Sequence, residues 1–567
     1  MTHSVVRHAD RGLDIPWCMP LSRRQLLRVG VAGSAAVLVG MSAVSSARLP
    51  SPRWRGDDPF GLGVASGDPT PDGVVLWTRL APDPLAPGGR GGMGWDPVTV
   101  EYEVARDESF RQVVTRGTAV ATRELAHSVH PEIRGLEPAR WYFYRFRAGS
   151  AISPVGRTRT APAPGQPTTR MRFAFASCQS WSSGFYTAYE HMSDEDLDLV
   201  VHLGDYIYER GWRRGREGVS MGVDRGEAVD LPGYRLRYAQ YKADQPLRDA
   251  HAAFPWIVTM DDHEVDNNWA ADSPGLGIDI YRIPMLFRRR RASAFQAMYE
   301  HQPLRIGQLP SGPDMRLHRR YRFGDLAEIT MLDTRQYRDP QACGGDVTAH
   351  CAERLDTDRT ILGAQQRDWL LDGFTDSPAR WQILGNQVAM SQTDNDPGPD
   401  LVVSSDSWDG YVADRNTVLG AAADRGVPNL VVITGDRHQN TAADLRRDYA
   451  DPESPVVASE FAGTSITSAG DGTDMNDTGR RLLAANPDMK FFNAQRGYVR
   501  VDLDHQLWRN DFRVVPYIRR PGAPIHTRAG FVVQDQVPGV TEAWRPATAT
   551  DTAASSDTIP GPRAGPR

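Results

Sequence analysis

The sequence predicts an α/β protein preceded by a small antiparallel β-sandwich, and three observations carry that expectation. Between Met171 and Phe512, short apolar runs alternate with longer stretches of helical spacing, the pattern of strands covered by helices. Between residues 58 and 162, short segments alternate apolar and polar side chains with a period near two and are rich in β-branched and aromatic residues. The apolar runs of the longer region end repeatedly on Cys, Asp, Tyr, Asn or His, at the edge where open α/β sheets bind ligands. A length of 567 residues with 40% hydrophobic and 24% charged residues suits a globular protein of more than one domain. The 52 glycines and 41 prolines follow no fibrous period and forecast long loops. A formal charge of −6 argues against a stable nucleic-acid complex.

Taken in order, residues 1–47 read as a transport address. Ser22-Arg23-Arg24-Gln25-Leu26-Leu27 sets twin arginines before a moderately apolar run, Val29 to Val44, and Ser45-Ser46-Ala47 offers small residues for cleavage. That run is too short, and too diluted by Gly and Ser, to span a bilayer comfortably. The twin arginines predict a Tat-type signal peptide, the Tat export machinery as a partner, and a secreted or extracytoplasmic protein with no integral membrane span once mature. A chance arginine pair beside a membrane anchor is the alternative. Cleavage after Ala47 would remove five basic and two acidic residues, taking the charge from −6 to −9. Cys18 leaves with the leader. Cys343 and Cys351 enclose the loop Gly344 to His350, where a disulfide suits an oxidising destination and two free thiols are the alternative. Cys178 has no evident mate.

The amino-terminal domain, 58–162, has its clearest strands at Gly73 to Trp77, Val98 to Val104 and Trp141 to Phe146. Packing against the second domain is its plain role, and carbohydrate or wall binding the lesser one. Pro162-Ala163-Pro164-Gly165-Gln166-Pro167 reads as a linker. In the main domain, 171–512, strands are expected at Phe173 to Ala176, Leu197 to Leu203, Trp256 to Met260, Ile329 to Leu332, Trp381 to Leu384 and Leu430 to Thr434. Helical spacing appears at Tyr186 to Met192 and Ala364 to Phe374. A carboxyl-terminal extension, 513–546, precedes a tail, 547–567, whose Ala, Pro, Ser and Asp content predicts disorder.

The chemistry gathers at the strand ends. The first strand reaches Cys178, the second runs through Gly204-Asp205 to Tyr208, and later ones reach Asp261-Asp262-His263-Glu264, Asn386 and Asp436-Arg437-His438. Each piece alone has a bland reading, such as a helix-capping Asp. Their recurrence on one edge would bury many ionisable groups at high cost unless cations compensate them. Asp205, Asp262 and Asp436 offer hard oxygens, His438 a borderline nitrogen, Tyr208 a phenolate and Cys178 a thiolate. Phenolate with carboxylate favours Fe(III), and the carboxylate-rich remainder suits a hard divalent ion. Two metals sharing Asp205 would explain one Gly-Asp turn between otherwise separate donor groups.

At this point the chain resembles the alkaline phosphatase D (PhoD-like) family of metallophosphoesterases, which includes related secreted phospholipases D. The resemblance rests on Gly63-Val64-Ala65-Ser66-Gly67-Asp68-Pro69, Val75-Leu76-Trp77-Thr78-Arg79, Phe175-Ala176-Ser177-Cys178, Gly204-Asp205-Tyr206-Ile207-Tyr208, Asp261 through Asn268 and Gly435-Asp436-Arg437-His438. It implies a four-layer metallophosphatase sandwich with two central sheets, an Fe(III) ion with Ca²⁺, and phosphomonoesterase or phosphodiesterase activity. On that reading Cys178, Asp205, Tyr208 and His438 surround iron. Asp205, Asp262 and Asp436 serve calcium, and Asn386 adds a neutral oxygen. Hydroxide activated by the metals attacks phosphorus in line, while His263 acts as electrostatic stabiliser or proton donor to the leaving oxygen. The implied substrates are phosphate mono- or diesters. A phospholipase D acting on phospholipid head groups is the near alternative, and a noncatalytic cell-wall-binding protein the alternative from another class.

Other features have plain readings beside functional ones. Arg237, Arg248, Arg335 and Arg437 could fork onto a phosphate or form ordinary salt bridges. Arg288-Arg289-Arg290-Arg291 reads as a solvated helix face. Trp181, Phe185, Tyr186, Trp269, Trp408 and Tyr411 suit packing or a substrate entrance. The segments Glu209 to Asp230 and Ala270 to Pro284 are candidate lids.

Overall fold

The computed structural model describes residues 58–210, 216, 226–275, 283–345 and 347–544. The leader, the tail and much of both candidate lids fall outside the described residues. Two sheets stack face to face. The larger has eleven strands, including, in spatial order, Val537–Trp544, His526–Gln534, Leu507–Val515, Arg496–Leu503, Met171–Ala176, Leu199–His202, Pro255–Val258, Val64–Thr70, Gly73–Arg79 and Ser128–Val129. The smaller runs Arg319–Phe323, Ala327–Met331, Trp381–Gly385, Leu430–Thr434, Val456–Ala462, Asn440–Arg446 and Met489–Asn493. The centre of each is parallel, so its strands are buried on both faces and read as unbroken apolar runs.

Alternation along each strand divides its side chains between two cores. Phe173, Phe175, Leu199 and Val201 meet Ile329, Ile383, Val431 and Ile433 between the sheets. Trp508 fills that space against Phe173 and Trp381, with ring centroids 5.7 and 6.1 Å away. Ala174, Ala176, Val200 and Trp256 face the opposite way, toward Thr187–Ser193, Leu231–Lys242, Gln245–Ala253 and Pro284–His301. On the far side of the smaller sheet, Leu384, Leu430 and Val432 pack on Leu370 and Phe374 of Gly363–Asp376 and on Val418 and Leu419 of Val412–Asp424. Helix, sheet, sheet and helix form the four expected layers.

The amino-terminal region is joined to this core by main-chain pairing. Val64–Thr70 lies parallel to Pro255–Val258, with Ser66 opposite Pro255 and Gly67 opposite Trp256. A Cβ on Gly67 would stand 2.6 Å from Trp256 O and 2.7 Å from Pro303 O, so only glycine permits that approach. Val98–Ala105, Val113–Ala121, Trp141–Ala148, Ala151–Ile152 and Gly156–Arg159 form a separate five-stranded antiparallel sheet. Its Val100, Val104, Tyr142 and Tyr144 pack on Val64, Val74 and Leu76. One face of this sandwich is therefore the end of the large sheet itself. The opposite end of that sheet crosses residue 512, because Leu507–Val515 and the strands after it extend the same ladder.

Cys343 and Cys351 are disulfide-bonded, with Cα atoms 5.9 Å apart, whereas Cys178 is free and buried. Among the described residues, no helix is long and apolar enough to cross a membrane. The arginine run departs from a solvated face. Arg290 is buried against Glu227 and Asp266, at 2.8 and 3.3 Å, and Arg291 is buried with Asp272 and Asp314. Pro284–His301 lies between the large sheet and the loops near Asp266, so part of its charged face turns inward and is neutralised there.

Candidate metal centre

The parallel strands of both sheets end beside one another and release the polar residues into a common cleft. In the larger sheet Ala176 pairs with His202, and His202 with Val258. Cys178, Asp205 and Asp262 follow these ends. In the smaller sheet Met331, Gly385, Ile433 and Phe461 share one row, leading to Arg335, Asn386, Asp436 and Ser468. The turns are tight. Cys178, Asp205, Asp436 and His438 all adopt left-handed backbone, with φ of 56°, 55°, 62° and 56°. For non-glycine residues this costs on the order of 1–3 kcal/mol each, and such strain collects at functional sites. Gly204, at φ 112°, makes the Asp205 turn, because a Cβ there would fall 2.5 Å from Asp261 N.

Three donor groups run through the cleft. Cys178, Asp205 and His438 bring ligand atoms within 4.8 Å of one another. So do Asp205, Asp262 and His263, and so do Asp261, Asp262 and Asp436. Asp205 belongs to the first two and Asp262 to the last two. Tyr208 joins the first, its Oη 3.0 Å from Asp205 Oδ2 and 3.2 Å from His438 Nε2. Asn386 lies at the end of its strand, but its amide is engaged elsewhere, donating to Val388 O at 2.5 Å and accepting from Trp408 Nε1 at 3.3 Å. Asp261 was not among the expected ligands, although it adjoins Asp262 in the same motif.

Burial, followed by neighbouring carboxylates, dominates the electrostatics. Burial pushes Asp205 well above the usual carboxylate range, against the pull of His263 and with a further push from Asp262. Asp261 rises to about 8 through burial, although Arg335 opposes it, and burial takes Asp436 to about 6, with Asp406 adding to the rise. Burial acts the same way on Asp262, but Arg335 and His263 overcome it and hold that carboxyl below its ordinary value. Burial and then Asp205 raise both the Cys178 thiol and the Tyr208 phenol. Burial takes His438 down to about 3, with Arg496 contributing. A cluster of acceptors that resists ionisation because positive charge is scarce has the donor chemistry that fits cations. The Cys178 thiol, Tyr208 phenol and His438 imidazole gather with Asp205 on one side, and the carboxylates of Asp261, Asp262 and Asp436 on the other.

Surrounding groups fix this arrangement. Glu264 accepts from the backbone N–H groups of Asp205, Tyr206 and Asp261 at 3.0, 2.5 and 2.8 Å, tying two ligand turns together. His263 Nδ1 lies 2.6 Å from Glu209 Oε2, and its ring is 4.1 Å from that of Tyr208. Burial disfavours the imidazolium, but Glu209, Asp262 and Asp205 prevail and raise His263 well above its usual value. A fourth acidic group, Glu209, Glu227 and Asp266, receives Arg290.

Arg335 follows the salt-bridge reading. Its Nε is 2.6 Å from Asp261, Nη1 is 2.9 Å from Asp406, and Nη2 is 3.9 Å from both Asp262 and Asp436. Arg237 and Arg248 bond chiefly to loop carbonyls and nearby glutamines, and Arg437 donates to Thr393. Trp181, Tyr186, Trp269, Trp408 and Tyr411 are buried in packing. Glu264 was visible as part of a motif. Arg335 stood out as a strand-end arginine without its partners being evident, and Ser468 carried no signal, because its partners are distant along the chain.

A family model described as PhoD-like phosphatase matches residues 173–512, and one described as PhoD-like phosphatase, N-terminal domain, matches residues 44–162. Alkaline phosphatase D of Bacillus subtilis (strain 168) is 48% identical over 484 residues, covering 85% of this chain and 82% of the relative. A solved structure, "Structure of PhoD", superimposes with a TM-score of 0.82 at 47% identity, over 87% of this chain and 94% of that one. Purple acid phosphatase PPD1 of yellow lupin (Lupinus luteus) shares the fold, with a TM-score of 0.51 at 12% identity over 84% of this chain and 74% of that one.

Proposed function

The chain belongs to the PhoD-like phosphatase family, and on that footing we propose that it is a secreted, metal-dependent phosphatase and phosphodiesterase acting on phosphate esters at the cleft between the two sheets. The observation that carries this reading is the sharing of Asp205 between the Cys178–His438 group and the Asp262–His263 group, with Tyr208 alongside. Donor hardness supports Fe(III) for Cys178, Asp205, Tyr208 and His438, and Ca²⁺ for the Asp205, Asp262 and Asp436 side, to which Asp261 is added. When bound, such a pair supplies Lewis acidity that lowers the pKa of water and neutralises phosphoryl oxygens.

The chain's own side chains do the rest. Glu209 orients His263 through Nδ1, leaving Nε2 as the nitrogen that gives a proton to the leaving oxygen. Arg335 offsets part of the charge of Asp261 and Asp406, and the carboxylates beyond it leave the surplus of negative charge that a bound cation would compensate. Asn386 remains a proposed neutral ligand, its Oδ1 keeping a second lone pair beside the one that accepts from Trp408 Nε1. The division into 58–162 and 171–512 is likewise proposed, supported by the two matched segments, and 513–546 is proposed as an extension that continues the large sheet rather than a separate unit.

The matched names favour phosphatase over phospholipase D. Turnover of p-nitrophenyl phosphate, bis-p-nitrophenyl phosphate and phosphatidylcholine at equal concentration tests this. Hydrolysis of either nitrophenyl ester well above that of the lipid is expected, and preference for phosphatidylcholine would overturn it. Export through the Tat route is proposed from Arg23-Arg24 in the leader. Precursor should accumulate inside cells carrying Arg23→Lys/Arg24→Lys, and undiminished export would count against that route.

A further inference from the structure

The loop that follows Val456–Ala462 lies across the iron-side residues and is stitched to the segment that carries Cys178. Ser465 bridges Ser177, and Ile466 N donates to Ser177 O at 3.0 Å. Thr467 N and Ser468 N both donate to Cys178 O, at 3.4 and 3.3 Å, and Thr467 Oγ1 donates to Ser180 O at 2.8 Å. From the other side, Arg496 Nε donates to Gly470 O at 2.6 Å and Nη1 to His438 O at 2.7 Å. The loop is thereby fixed to two of the proposed ligand turns.

Ser468 sits at its centre, 2% exposed. Its Oγ is 2.6 Å from Tyr208 Oη, 2.7 Å from Cys178 O and 3.2 Å from Ser180 N. A hydroxyl has one proton and two lone pairs. Ser180 N–H can only donate to it and Cys178 O can only accept from it, so Tyr208 is the one neighbour able to do either. With Tyr208 as a phenol, its one proton goes to Asp205 Oδ2, the Ser468 proton is shared between Cys178 O and Tyr208 Oη, and Oγ accepts from Ser180 N–H. Once Tyr208 gives its oxygen to a cation as phenolate, it can only accept. The Ser468 proton then turns to it, and Cys178 O is not orphaned, because it keeps the N–H groups of Thr467 and Ser468. The turn costs the surroundings no unpaired group.

We propose that Ser468 is a positioning residue that donates a hydrogen bond to the Tyr208 phenolate and sets how strongly that phenolate donates charge to the ion it holds. The proposal rests on the reading of Tyr208 as an iron ligand. A charge-assisted O–H···O⁻ bond is short and about twice as strong as a neutral one, and hydrogen bonds to ligand atoms tune a metal's electronics. Electron density held by Ser468 is not available to iron, so the phenolate-to-iron charge-transfer band lies at higher energy with this bond than without it.

The test is the visible spectrum of the full-length enzyme reconstituted with Fe(III) and Ca²⁺, with both metals quantified. Ser468→Ala should move the band to longer wavelength, and Ser468→Thr, which keeps the hydroxyl, should hold the wild-type position. If Ser468→Ala fails to retain iron, retention by Ser468→Thr supports the hydroxyl's role, and loss from both overturns it. An unmoved band in iron-loaded Ser468→Ala overturns it also. Tyr208→Phe separates the two premises: the absorption it removes from the iron-loaded protein is the phenolate band, distinct from any that the Cys178 thiolate contributes, and a spectrum it leaves unchanged means that the iron assignment of Tyr208 fails before Ser468 is judged.

Discussion

Asp205 is held by Gly204 before it and Glu264 across from it, and its two oxygens face different partners, Tyr208 on one side and the N–H of His263 on the other. Asp205→Asn keeps the shape and removes the charge. Loss of paired-metal occupancy and a fall in turnover of about 10²-fold or more are expected, as for other losses of positioned charge stabilisation. Asp194→Asn, at the exposed end of Thr187–Ser193, should leave both unchanged. Normal binding of both ions by Asp205→Asn would show that the two donor groups do not share it. Cys178→Ser tests the soft side, because a serine hydroxyl stays protonated near neutral pH where a metal-bound thiol does not. Iron should be lost while circular dichroism reports an intact fold. At this scale the sequence disclosed what lies within a few residues of a strand end, including Asp205, Tyr208, Asp262 and His438. It concealed Ser468 altogether and, for Arg335, the partner of the salt bridge, because these contacts with Tyr208 and Asp261 span 260 and 74 residues.

Among the elements, the strand-to-turn junctions carry more of the constraint than the strands. Six expected strands of the main domain recur with small shifts at their ends, because apolar runs this short, bounded by turn residues, suit a sheet buried on both faces better than a helix. The amino-terminal strands were equally legible, yet their partners were not, since period-two alternation reports a buried face without saying which sheet covers it. The helix Pro284–His301 shows the reverse difficulty: four successive arginines announce charge, and only the acidic loops beside them decide that two are buried. At the junction after Leu199–His202, Gly204→Ala would add a Cβ 2.5 Å from Asp261 N at a φ that other residues rarely adopt. A loss of roughly 3 kcal/mol or more is expected from strain and overlap together. Urea unfolding of the metal-free protein should register it, and an unchanged midpoint would show that the turn has room to relax.

For the whole molecule, acid stability depends on buried histidines outside the metal cleft. His202 is pushed down to about 3 by burial, and His251 falls well below its usual value through burial and then Lys242. Both are neutral in the folded protein and gain a proton near pH 6.5 when it unfolds. The unfolded chain therefore binds more protons between about pH 6.5 and 3, so stability falls as pH drops through that window. Each group removes roughly 2 kcal/mol by pH 5. His251→Gln should lessen the loss of unfolding free energy between pH 6.5 and 5 relative to the parent, and parallel curves would exclude His251 as a contributor.

The pairing of Val64–Thr70 with Pro255–Val258 also bears on whether the molecule can be divided. Two family segments suggest two modules to be expressed apart, but the seam between them is a hydrogen-bonded ladder. A chain beginning at residue 171 would leave Pro255–Val258 as a bare edge, three positions before Asp261, with its main-chain groups open to any neighbouring strand. Self-association of that fragment, and recovery on adding residues 58–162 as a separate polypeptide, are the expected signs. The amino-terminal region is then a splint for the catalytic sheet, and the smallest heritable unit of activity is the pair.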